Sequence, residues 1–306
     1  MLLLVAGIVC AAVGGELFVR GSVGIATALR ISPSIIGVTV AAFATSSPEL
    51  SVAVGSGLAG TSELSLGDVL GSNIVNFALV LACALLIADI PVAIPALRRD
   101  IFTTIAVPLL TALLLIDGIL SRADGLIMLG FFMIWISAAL YEAAMQRKAS
   151  SGGAPVAGPL PAAVHTLAGL GLLVAAGFLI ITGATGIARS FGLHEFLIGA
   201  TIVAFGTSMP ELASIIISRI RWHEGIGFGT ILGSNIFNGL FIIAVASLLS
   251  PISAEPGEVL PSLLFGLAAV LAALPLPGAG RIRRWQGMLL LLLYVVYPAF
   301  ETKVFR

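Results

Sequence analysis

The chain has 306 residues, of which 59% are hydrophobic and only 10% charged, with a mean hydropathy of +1.15 and a formal net charge of zero. A soluble globular domain carries charge on about a quarter of its residues. The composition therefore excludes a soluble enzyme or nucleic-acid-binding module and implies an integral membrane protein with the lipid bilayer as its surroundings.

The apolar stretches repeat at about 20 residues, enough for a helix to cross a hydrocarbon core of about 30 Å, whereas barrel strands would be about half that length. The first, about 1 to 19, has no basic segment ahead of it and no small-residue cleavage site before Arg20, so it is expected to be retained. The second, about 35 to 60, contains Gly37-Val-Thr-Val-Ala-Ala-Phe-Ala-Thr-Ser-Ser-Pro-Glu49, and the third, about 65 to 88, contains Gly71-Ser-Asn-Ile-Val-Asn76. Two plainer stretches follow at about 101 to 120 and 124 to 145. Residues Arg147 to Pro161 are rich in Gly, Pro and Ser and read as a flexible linker. After a sixth stretch at about 163 to 187, the seventh (about 196 to 218) contains Gly199-Ala-Thr-Ile-Val-Ala-Phe-Gly-Thr-Ser-Met-Pro-Glu211. The eighth (about 226 to 250) contains Gly233-Ser-Asn-Ile-Phe-Asn238, and two more close the chain at about 259 to 276 and 285 to 301.

The two polar patterns are copies at a constant offset of 162 residues. Each half holds five spans, and an odd number makes the second copy cross in the opposite sense to the first. The expected fold is an all-α membrane protein of ten transmembrane helices in two inverted five-helix repeats. Residues 1–150 form the first, with its signature at 37–76, and residues 151–306 hold the linker and the second, with its signature at 199–238. Inverted repeats commonly place a binding site near the bilayer midplane on broken helices. With the N-terminus outside, eleven of the fifteen Lys and Arg residues fall in inside loops and only Arg122, Arg189, Lys303 and Arg306 outside, so both termini are expected on the non-cytoplasmic face.

Glu49 and Glu211 lie about 14 and 15 residues into their spans, near mid-bilayer, where an acidic side chain costs at least about 2.5–3.5 kcal/mol. No Lys or Arg lies at similar depth in the signature spans, which leaves a metal ion or a proton as the compensating charge. On a helix Ala42, Thr45, Ser46 and Glu49 form one stripe, as do Ala204, Thr207, Ser208 and Glu211. Ser72 and Asn76, and Ser234 and Asn238, are i, i+4 pairs. Pro48 and Pro210, read as mid-helix residues, would free the carbonyls of Ala44 and Gly206. Hydroxyls, amides, carbonyls and two carboxylates, without His or Cys, suit a hard cation such as Ca²⁺ or Na⁺. Asn73 and Asn235 read equally as structural hydrogen bonds between helices. Glu16 reads as a locally paired residue, and Asp68, Asp89, Asp117, Asp124 and Glu142, near span ends, as solvated at the interface. Cys10 and Cys83 read as buried thiols, and His165, His194 and His223 form no ligand cluster. No hydrolase or metalloprotease motif is present, so no enzymatic activity is expected.

At these residues the chain resembles the cation/calcium antiporter superfamily, and within it the prokaryotic sodium/calcium exchangers. Both family signatures, G-x-x-x-x-A-x-G-T-S-x-P-E and G-S-N-x-x-N/D, are matched, and the likeness extends over the whole chain. The resemblance implies an antiporter exchanging Na⁺ for Ca²⁺ in a prokaryotic inner membrane, with no cofactor and no obligatory protein partner. H⁺/Ca²⁺ or K⁺-dependent exchange on the same scaffold is the alternative, with a cation channel behind it. It further implies that Glu49 and Glu211 bind Ca²⁺ with the carbonyls of Thr45 and Thr207. Flanking Na⁺ sites would draw on the Ala42 carbonyl, Ser46, Ser72 and Glu211, and on the Ala204 carbonyl, Ser208, Ser234 and Glu49, with Asn76 and Asn238 central. Two departures stand out: Ala44 replaces the signature glycine, and Asn238 stands where several relatives have Asp.

Overall fold

A computed structural model describes residues 2–92, 94–149, 159–190, 199–221, 224–276 and 278–304. The helices are α1 (Leu2–Leu29), α2 (Pro33–Thr45), α3 (Ser47–Ala59), α4 (Ser62–Ile87), α5 (Ile94–Leu114), α6 (Arg122–Ala149), α7 (Pro159–Ser190), α8 (199–207), α9 (Met209–Ile220), α10 (224–249), α11 (Pro256–Ala272) and α12 (Arg284–Val304). Each apolar stretch expected from the sequence coincides with one helix or with a broken pair. Among the described residues α4, α10 and Arg122–Gln146 of α6 are each long and apolar enough to cross a membrane. The pair α2 and α3, bent by 40°, makes a fourth. The linker expected at Arg147 to Pro161 falls largely outside the described residues.

The signature helices depart from regular α geometry at matching places. Wide π-helical turns occupy Gly37–Ala41 in α2 and Gly199–Val203 in α8, and again Val75–Leu81 in α4 and Phe237–Ile242 in α10. Such bulges cluster at functional sites, because the extra residue per turn displaces the side chains that follow. The helix then breaks at Ser46 (φ −81°, ψ 7°) and at Ser208 (φ −79°, ψ 4°). Pro48 and Pro210 are therefore not mid-helix residues. Each lies in the first turn of the next helix, where a missing N–H removes no hydrogen bond.

The signature helices pack crosswise between the halves, α4 against the π-turn of α8 and α10 against the π-turn of α2. Glycine makes this approach possible. A Cβ on Gly71 would sit 2.7 Å from the Ala200 carbonyl carbon, and one on Gly233 would sit 2.7 Å from that of Val38. Outside this core, α1 and α7 lie along one another through small residues, with the Gly14 and Gly169 backbones in direct contact.

The fold is not purely helical. Ile90–Pro91 pairs antiparallel with Arg281–Ile282, and Ile119–Leu120 with Ile252–Ser253. These two-residue ladders join loops that the expected topology places on one common side. The other loop contacts follow the same partition. Arg219 and Arg284 bond to Asp89, Arg99 to Glu142, and Glu16 pairs with both Arg20 and Arg221 at one side. At the other, Arg122 donates to the Leu248 carbonyl, and Ala254 N–H to that of Gly118.

Because the glycine contacts are with backbone, Gly71→Ala and Gly233→Ala are each expected to cost about 1–3 kcal/mol. Thermal unfolding in detergent measures this, with Gly55→Ala, where nothing lies within 4 Å of an added Cβ, as the control.

Candidate functional site

The broken helices put Glu49 and Glu211 in the first turns of α3 and α9. A helix N-terminus favours a negative charge, by up to about 2 kcal/mol in partly buried geometries. That falls short of the several kcal/mol that desolvating a carboxylate costs. Both side chains are inside the protein, at 0% and 1% exposure, and the two lie within electrostatic reach of each other.

Elsewhere this protein satisfies a buried acid fully. Asp100, equally inaccessible, pairs with the Arg99 guanidinium at 2.7 Å and accepts from Trp135 Nε1 at 2.8 Å. The glutamates are treated differently. Neither oxygen of Glu49 has a hydrogen-bond partner, and Glu211 has one, Ser234 Oγ donating to Oε1 at 3.0 Å while Oε2 is left alone. Among the described residues no Lys, Arg or His forms an ion pair with either.

Around them the remaining candidate residues are buried. Thr45 Oγ1 lies 3.2 Å from Ser234 Oγ and donates to the Ala42 carbonyl at 3.3 Å. In the mirrored position Thr207 Oγ1 lies 3.0 Å from Ser72 Oγ and donates to the Ala204 carbonyl at 3.3 Å, which Ser72 Oγ also approaches at 3.4 Å. The direct hydrogen bonds thus gather Ala42, Thr45, Ser234 and Glu211 on one side, and Ala204, Thr207 and Ser72 on the other. The mirrored sets implied by the family resemblance exchange the two serines. Ser46 Oγ, Ser208 Oγ, Asn76 Oδ1 and both side-chain polar atoms of Asn238 are buried without partners.

Asn73 and Asn235 clasp the halves together. Asn235 Nδ2 donates to the Asn73 carbonyl at 3.0 Å, Asn73 Nδ2 to the Asn235 carbonyl at 3.4 Å, and Asn76 Nδ2 to Asn235 Oδ1 at 2.9 Å.

One residue overturns its sequence reading. Asp68, expected at the solvated interface, is wholly buried in α4 and accepts a hydrogen bond from Thr207 Oγ1 at 3.0 Å through Oδ1. The signal was present, because Asp68, Ser72 and Asn76 are spaced i, i+4, i+8 along one helix face. Its position in the second copy is occupied by Thr230.

A family model described as sodium/calcium exchanger protein matches residues 1–141 and 161–303. The chain belongs to the sodium/calcium exchanger family. Within the family's range it is 32% identical over 267 residues to the inner membrane protein YrbG of Escherichia coli strain K12, covering 83% of this chain and 81% of YrbG. It is 26% identical over 341 residues to the sodium/calcium exchanger MaX1 of Methanosarcina acetivorans, covering 97% and 96%. Among solved structures, the sodium-calcium exchanger NCX_Mj soaked with Na⁺ and Sr²⁺ superposes with a TM-score of 0.82 at 29% identity, over 97% of each chain. Family membership and the structural match support a membrane transporter that carries out cation/Ca²⁺ antiport.

The amide clasp is lopsided, with Asn235 contributing side-chain atoms to two bonds and Asn73 to one. Interhelical side-chain bonds in membrane proteins average about 0.6 kcal/mol. Asn235→Ala is expected to lower the unfolding temperature in detergent about twice as far as Asn73→Ala, and equal shifts would count against this geometry.

Proposed function

We propose that this chain is a secondary active antiporter that exchanges Na⁺ for Ca²⁺ by alternating access, the two ions competing for one shared site near the bilayer midplane. The observation that carries the reading is a pair of buried carboxylates, one from each half, with no Lys, Arg or His paired to them among the described residues and with unpartnered oxygens around them.

The Glu49 and Glu211 carboxylates, the hydroxyls of Ser46, Ser208, Ser72 and Ser234, the amides of Asn76 and Asn238, and the carbonyls of Thr45, Thr207, Ala42 and Ala204 supply the ligand set. All donors are oxygen, which matches hard cations. Two carboxylates are neutralised by one Ca²⁺ or by two Na⁺. Ions that share ligands exclude one another, and that competition couples their movements.

The chain crosses the membrane ten times as two inverted five-helix repeats, 1–150 and 151–306. The constant offset and the matching π-turns and helix breaks support the repeat. The partition of loop contacts between two sides supports an alternating path. It lies in a prokaryotic inner membrane with both termini on the non-cytoplasmic face, as the basic loops indicate. Movement of α1 and α7, which pack on one another along a seam of small residues, opens the site to either side in turn.

Sealed vesicles loaded with Na⁺ test the proposal through uptake of labelled Ca²⁺, with K⁺, Li⁺ and H⁺ gradients as controls. Only the Na⁺ gradient is expected to drive uptake, whereas a response to H⁺ or K⁺ would identify a different coupling ion. Glu49→Gln and Glu211→Gln each lose uptake to background, since removing one charge of a shared buried site costs about 2–5 kcal/mol, or more than about 30-fold in affinity.

A further inference from the structure

Asp100 is a buried acid that the ion chemistry above does not use. Its Oδ1 takes three donors at once, Arg99 Nε at 2.8 Å, Arg99 Nη2 at 2.7 Å and Trp135 Nε1 at 2.8 Å. The last of these crosses from α5 to α6. An indole has one polar atom, and bonding it in a buried setting fixes which way the ring faces.

That ring leads to the ion site. Trp135 meets Phe237 edge-on, with centroids 5.7 Å apart and planes at 89°. Phe237 is buried, opens the π-turn of α10 and is followed by Asn238, whose side-chain polar atoms have no partner. The Phe237 ring also lies 5.5 Å from that of Phe43, which stands in α2 between Ala42 and Ala44. One side chain thus joins the α10 segment bearing Asn238 to the α2 segment bearing Ala42 and Thr45. A Cβ on Gly239, in the same π-turn, would collide with Val107 of α5, so the hairpin of α5 and α6 abuts this turn at two places.

The clamp between the two helices recurs at the offset of 162 residues. Ser262 stands at the place of Asp100 and Tyr297 at that of Trp135, and the buried Ser262 Oγ and Tyr297 OH are 3.0 Å apart. Different residue types make the same link. Its continuation differs, because Val75, which has no ring, occupies the place of Phe237, and Tyr297 meets Phe265 of its own hairpin at 5.5 Å.

We propose that Asp100 and Trp135 are positioning residues for ion binding. The carboxylate orients the indole, the indole holds Phe237, and Phe237 sets the rotation of the π-turn that aims Asn238 and the seat of α2 beside it. Neither Asp100 nor Trp135 is a ligand in this scheme. It rests on the antiporter reading above and adds an outer layer to the ligand set. Groups that hold ligand-bearing segments change metal affinity by misplacing the ligands, not by removing them.

The test measures Ca²⁺/Ca²⁺ self-exchange in vesicles for the full-length wild type and its variants, separating half-saturating Ca²⁺ from the maximal rate per folded molecule. Trp135→Phe and Phe237→Leu are each expected to raise half-saturating Ca²⁺ about threefold to tenfold, with the maximal rate within about twofold of wild type. Asp100→Ala shifts it in the same direction. Asp100→Asn, which keeps Oδ1 as an acceptor for the indole, recovers most of that loss. Asp100→Ala combined with Trp135→Phe is no worse than the larger single effect, as residues acting in series require.

A folded Trp135→Phe with the wild-type half-saturation overturns the proposal, as does a fall in maximal rate alone. A purely structural role would lower the unfolding temperature and leave half-saturating Ca²⁺ unchanged in the folded fraction, which also overturns it. If Asp100→Ala does not fold, Trp135→Phe and Phe237→Leu decide, because both leave the Arg99–Asp100 pair in place. Failure of the antiporter reading looks different: the wild type itself would show no Na⁺-dependent Ca²⁺ flux.

Discussion

An ionisable acid buried without a counter-charge is the constraint around which the rest of this molecule is arranged. Desolvation costs several kcal/mol per carboxylate, and of the buried acids Glu49 and Glu211 stand at the start of helices whose N-terminal dipoles offset only part of that cost. The breaks at Ser46 and Ser208 create those N-termini in the middle of what would otherwise be continuous helices. Had the helices run on unbroken, the carboxylates would face a fully hydrogen-bonded backbone and no favourable dipole. Asp100 is the internal comparison: this chain supplies an arginine and an indole N–H to that buried acid, and among the described residues it supplies neither to Glu49 or Glu211.

Neither half completes its own polar centre. The hydroxyl that donates to Glu211 belongs to α10, yet it also meets Thr45 from the first half, while Ser72 from the first half meets Thr207 and the Ala204 carbonyl of the second. The amides cross as well, each asparagine of the clasp donating to the other's peptide carbonyl. Pairings of this kind hold α4 and α10 as one body. The long helices α1 and α7 pack on one another through glycine, with Phe18 and Leu173 buried alongside, and both also touch the helix that carries Glu211.

Much of this was legible before any coordinates. The repeated Pro-Glu and Gly-Ser-Asn patterns located every signature helix, because a polar run in so apolar a chain stands out and an offset that never slips ties the copies together. Burial of the twelve candidate residues follows from the same logic. What was not legible depends on geometry that periodicity does not encode. The π-turns insert a residue per turn without any distinctive composition. The prolines read as mid-helix residues because the break two residues earlier, at an ordinary serine, leaves no mark in the sequence. The two-residue ladders are too short to show alternation. Asp68 was misread because distance from the span's end was weighed above its place on the helix face it shares with Ser72 and Asn76.

The seats of Gly71 and Gly233 on the backbone of the opposite half have a bearing on how the molecule is made. When a ribosome has delivered α1 to α6 to the membrane, the groove that Ala200 will later fill is still lined by lipid or by the insertion machinery, and Glu49 still lacks its neighbours. The first half therefore stays in an unfinished arrangement until α8 and α10 emerge.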